Sequence, residues 1–182
     1  MASIFDLLGM LSHFIIKARI TFQHAWRTSV EWDEPLTDAI RKSWLKWCKM
    51  LPEIQNVKVP RFYGMTPSTS GPTLHVFADA SIEAYAAVAY FRWGREDCAG
   101  VSFVAAKARV APLKPLTVPR LELTAALMAV RLATTIMKEH NYNVNDAVFW
   151  SDSRIALSWI RSDAAKFKQF VAARVGEIQG VE

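Results

Sequence analysis

Cysteine is nearly missing from this 182-residue chain: Cys48 and Cys98 are the only two, and they stand far apart. That excludes a disulfide framework and a Cys/His zinc site, and both thiols read as reduced core residues of an intracellular, reducing compartment. Long apolar runs are also lacking. The opening nine residues are apolar but carry Asp6 and no basic start, and His13, Lys17 and Arg19 soon follow. Neither a membrane span nor a secretory leader fits, so no membrane partner is expected. Extreme charge is absent as well. The formal charge of +5 and a pI near 9.4 lean toward a polyanionic partner without naming one. With 52% hydrophobic and 21% charged residues, disorder is excluded. The length suits one medium domain, or a small one with a helical appendage.

What is present begins with helical grammar. Ser12 is placed to cap a helix in which Phe14, Ile15, Ala18, Phe22, Ala25 and Trp26 recur at helical spacing. A second helix is expected over 35–51, with Pro35 in its first turn and Leu36, Ile40, Trp44, Trp47 and Leu51 on one packing stripe. Pro, Gly, Ser and Thr then dominate 60–72 and mark a linker. The expected division is a helical segment over 1–60, a linker over 61–72 and a domain over 73–182.

The third part reads differently. Segments 73–78, 84–92 and 100–110 are strand candidates joined by short connections, which favours an antiparallel meander. A helix over 119–140 is apolar nearly all round and should be buried against the sheet. Segment 147–151 returns as a strand, followed by helices over 153–161 and 165–178. The order βββαβαα predicts an α/β fold with a mixed sheet and flanking helices.

Three acids stand at the ends of these elements. Asp79 closes the first strand, Glu122 lies in the first turn of the long helix, and Asp152 closes the fourth strand. Singly, each has a structural reading: a turn with Ser81, a helix-dipole partner, a cap by Asp152 or Ser153. Taken together, they gain weight if the first and fourth strands are neighbours under the long helix, because they then gather at one edge. Clustered carboxylates repel, divalent cations offset that repulsion, and oxygen ligands select Mg²⁺ or Mn²⁺ over zinc.

The wording around these acids resembles a known family. Phe77-Ala78-Asp79-Ala80-Ser81, Arg120-Leu121-Glu122-Leu123 and Trp150-Ser151-Asp152-Ser153 resemble the first three acidic motifs of ribonuclease H, in chain order. Ala106-Lys107-Ala108-Arg109-Val110-Ala111-Pro112 and the run from Phe167 through Ile178 are similar to BEL/Pao retrotransposon polyproteins in particular. Phe5-Asp6-Leu7-Leu8-Gly9 resembles their segment beyond the polymerase palm, with Leu7 where they carry proline, and Trp32-Asp33-Glu34-Pro35-Leu36 fits the same pattern. The resemblance implies the tail of a reverse transcriptase followed by a ribonuclease H-like domain, cut short at its C-terminus. It also implies two-metal hydrolysis of the RNA strand of RNA/DNA hybrids. Asp79 would bridge the metals, and Glu122 and Asp152 would each hold one. Implied partners are the hybrid and the rest of the polyprotein, reverse transcriptase and integrase included.

The family's fourth acid is not found before Glu182, and Glu177 does not replace it. The expectation for the 182-residue chain is therefore weak metal binding and poor or no cleavage. Lys107, Arg109, Arg120, Arg154, Lys166 and Lys168 are candidates for tracking a nucleic-acid backbone. Two rival readings stand beside the enzyme. One is a non-catalytic nucleic-acid-binding or connection module. The other is a Pao-type aspartic peptidase, disfavoured because the chain has no Asp-Thr/Ser-Gly loop: Arg154 follows Asp152-Ser153.

Overall fold

A computed structural model describes residues 5–28, 30–31, 33–60, 62–64, 71–94, 99–144 and 146–180. Most of the expected linker, and Cys98, lie outside the described residues. Two helices come first, α1 (Ser12–Arg27) and α2 (Asp38–Lys49), with a 3₁₀ turn at Leu51–Asn56. Strands β1 (Thr73–Ala80), β2 (Ala84–Trp93) and β3 (Gly100–Val110) follow, then α3 (Val118–Glu139), β4 (Asp146–Trp150), α4 (Arg154–Ile160) and α5 (Gln169–Gln179). The sheet order is β3-β2-β1-β4, with β1–β2 and β2–β3 antiparallel and β1–β4 parallel. This is the mixed α/β sheet with flanking helices that the element order predicts.

Alternation in β1 explains where the core sits. Leu74, Val76 and Ala78 are buried, while His75, Phe77 and Asp79 belong to the other face. The buried set meets Ala87, Ala89 and Phe91 of β2, and α3 covers them with Ala125, Met128, Ala129, Leu132, Ala133 and Ile136. Nearly every other position of α3 from Leu121 to Val130 is also buried, because α4 and α5 close its second side through Leu123, Ala156, Val171 and Val175. The face away from α3 carries a line of rings. Trp150 stacks on His75 and Phe77, and Tyr90 meets Phe77 and Phe103 edge-on.

The helical segment touches the sheet. Ala106 N–H donates to the Leu8 carbonyl at 2.8 Å, and Gln23 Nε2 donates to the Ala111 carbonyl at 2.6 Å, so α1 lies along β3. α2 packs on α1 through Phe14, Trp47 and Trp44 in a stack, and Trp47 Nε1 donates to the Phe14 carbonyl.

Several boundaries differ from the sequence reading. Ser12 does not cap α1; the Asp6 carboxylate instead accepts from Leu11 N–H at 2.8 Å. α2 begins at Asp38, not Pro35, because Thr37 is still extended there. Leu36 is therefore exposed ahead of the stripe that buries Ile40 and Trp47. The last helix is split: Asp163 accepts from Ala165 N–H to cap a 3₁₀ turn (Ala164–Lys166), and the extended Lys168 restarts the chain as α5. β4 neighbours β1 as expected but lies at the edge of the described strands.

Candidate active site

Asp79 lies inside β1, one residue before its end, paired with Ala86 of β2. Its carboxylate accepts from Ala80 N–H at 2.7 Å, and the following turn is held by Ser81 Oγ, which accepts from the Glu83 and Ala84 amides. Asp79 is thus not consumed by the turn. It is exposed and lines a cleft of about 560 Å³ beside α1, with His13, Ile16, Tyr90 and Phe103.

Asp152 comes into place through strand pairing. The last rung between β1 and β4 is Phe77 with Trp150. Asp79 and Asp152 each follow two residues beyond that rung on adjacent parallel chains. Asp152 is exposed, and the cap of α4 is supplied by its neighbour: Ser153 Oγ accepts from Ala156 N–H at 3.1 Å.

Glu122 approaches from α3. Ser153 Oγ donates a short hydrogen bond to Glu122 Oε2, so one hydroxyl serves both the helix cap and the acid. Ser153 is the sole polar or charged side chain among the buried described residues, at 6% exposure, which fixes this contact. Glu122 thereby sits beside the residue next to Asp152. Asp79 belongs to the face away from α3, the helix that carries Glu122. As they stand, no group of three His, Cys, Asp or Glu side chains among the described residues is close enough to hold a metal ion. The donors are all hard oxygens, as Mg²⁺ or Mn²⁺ requires, but they are not drawn together into a closed set.

The predicted basic residues separate into groups. Lys107 and Arg109, both exposed on β3, line a cleft with Arg131 of α3 and Arg174 of α5. Arg120 lies over the Phe170 ring at 5.3 Å, on the same side. Arg154, Lys166 and Lys168 are exposed on and after α4. Sequence reading missed Ser153 as the holder of Glu122, although its position one residue before α4 is a cap signal. It also missed the pairing of Arg131 with Glu177, 46 residues apart, for which no local pattern exists.

The sheet order, the crossover helix and acids at the carboxyl ends of two parallel neighbours define a ribonuclease H-like domain. Within that class, the chain belongs to the Pao retrotransposon-like RNaseH-like domain family, whose model matches residues 1–153 and so spans Asp79, Glu122 and Asp152. A search of curated proteins gives no match. Among the described residues no helix is long and apolar enough to cross a membrane.

Proposed function

We propose that this domain hydrolyses the RNA strand of RNA/DNA hybrids within a retroelement polyprotein, alongside its reverse transcriptase and integrase, using divalent ions. The observation that carries the reading is the parallel pairing of β1 with β4, which leaves Asp79 and Asp152 two residues past one rung. Glu122 is tethered one residue from Asp152 by Ser153. Asp79, Glu122 and Asp152 would hold Mg²⁺ or Mn²⁺. Such ions, when bound, supply water activation and neutralise charge on the phosphate. The chain's own part would be to position: the β1–β4 register sets Asp79 and Asp152, and Ser153 holds Glu122. Lys107, Arg109, Arg120, Arg154, Lys166 and Lys168 would bind the hybrid's backbone.

Glu122 must leave Ser153, or share its second oxygen, before it serves as a ligand. That exchange supports slow turnover, since about 1 Å of misplacement costs about a hundredfold in rate. A labelled hybrid incubated with Mg²⁺ is expected to show slow cleavage confined to the RNA strand and stopped by EDTA. Asp79→Asn is expected to lower the rate about a hundredfold or more. Cleavage that ignores Asp79→Asn would overturn the assignment. Glu122's engagement by Ser153 favours one second reading, a non-catalytic hybrid-binding module. Tight binding of the hybrid with no cleavage in Mg²⁺ or Mn²⁺ would establish it instead.

A further inference from the structure

A second constellation lies outside the three acids. Between α3, α5 and the β2–β3 hairpin runs a cleft of about 310 Å³, lined by Lys107, Arg109, Arg131, Arg174, Tyr85 and Glu177 among others. Four of these six are cations and one is an acid. Like charges gathered this closely repel, so the arrangement invites an anion.

Arg174 is held in place at this cleft. Its guanidinium lies 3.6 Å from the Phe170 ring centroid, and one end donates to the Phe170 carbonyl at 3.0 Å. Its Nε–H is buried and has no acceptor among the described residues. A buried donor without a partner is uncommon in a folded chain. Burial is the main cause that lowers the affinity of Arg174 for its proton; Tyr85 and Glu177 oppose it and Arg131 adds to it, and a bound anion favours the charged guanidinium.

Arg131 already carries an anion of the right shape. Its Nε and Nη2 donate to the two Glu177 oxygens at 2.6 and 2.8 Å, the two-pronged geometry a guanidinium also offers to phosphate. The pair sits at the surface, where such a bond contributes little to stability and is readily exchanged.

We infer that this cleft is a backbone-phosphate subsite for the nucleic acid, with Arg174, Lys107 and Arg109 as its cations and Glu177 as a carboxylate latch that occupies Arg131 until phosphate replaces it. The inference rests on the hybrid-binding reading and gives that surface a defined centre, whose Lys107 and Tyr85 also line the cleft beside Asp79. It predicts that Glu177 opposes binding beyond its single charge.

The test is fluorescence anisotropy of a labelled RNA/DNA hybrid and a matched DNA duplex with the full chain in EDTA, across a salt series. Lys107→Glu with Arg109→Glu is expected to weaken binding at least about tenfold and to flatten the salt slope by about two. Both residues are exposed, so folding should survive; circular dichroism checks it. Glu177→Gln is expected to tighten binding about threefold or more, whereas Glu139→Gln, an equal charge change at another exposed site, should not. Unchanged affinity in the double variant, or equal effects of Glu177→Gln and Glu139→Gln, overturns the subsite. If the variants respond as expected but hybrid and duplex bind alike, the subsite stands and hybrid selectivity fails.

Discussion

Ser153 carries two jobs with one hydroxyl, which makes it the most informative single residue near the acids. Losing the cap of α4 and the bond to Glu122 should cost about 1–3 kcal/mol in Ser153→Ala. Asp152→Asn, which removes charge from an exposed neighbour and no cap, should stay within about 0.5 kcal/mol. Urea denaturation of the two variants checks the contrast, and equal losses would mean that Asp152 shares the capping. The sequence had left Asp152 and Ser153 as alternative caps, because either residue type fits the position. Only the folded geometry assigns the cap to Ser153 and so leaves Asp152 free for chemistry.

At the level of elements, the docking of α1 depends on Gly9. Its φ of +75° is left-handed, and any Cβ there would collide with the Ala106 carbonyl and Ser12. Gly9→Ala should therefore destabilise by about 1–3 kcal/mol and expose the Ala106 amide to hydrogen exchange, while β1–β4 keep their protection. A second element-scale consequence concerns β1, β4 and the C-terminal end of α3. Burial, with Arg92 adding to it, lowers the pKa of His75, and burial lowers that of His140. His75 Nδ1 also accepts from Trp150 Nε1, which joins β1 to β4. Below the ordinary histidine value of 6.5 the unfolded chain binds more protons than the folded one. Stability should thus be full above pH 6.5 and decline as pH falls below it. Urea midpoints at pH 7.5, 6.5 and 5.5 check this, and replacing both histidines by Phe should flatten the trend.

Element order, the buried α3 and the strand set were legible because alternation and helical periodicity are local signals. The start of α2 and the break before α5 were not, since Pro35 and Lys168 act through backbone angles that neighbouring turns decide. The acids were legible as a set of motifs. Their relation in space was not, because it depends on the β1–β4 register and on Ser153 reaching Glu122 across 31 residues. The basic cleft was half visible, in Lys107 and Arg109. Arg131 and Arg174 join it only when α5 folds back on α3.

For the whole molecule, Asp79 inside β1, Glu122 on α3 and Asp152 just past β4 are proposed to act as one divalent-ion site at the carboxyl edge of the sheet. Mg²⁺ commonly keeps several waters and takes one or two protein carboxylates, so on the proposed reading an open set of three would bind it weakly. The most direct measurement is a Mn²⁺ titration followed by the electron paramagnetic resonance of the free ion, for the unaltered chain, Asp79→Asn, Glu122→Gln and Asp152→Asn. The account predicts weak but saturable binding that each substitution loosens severalfold or more. Identical free-ion curves for all four proteins would show that these carboxylates do not act together.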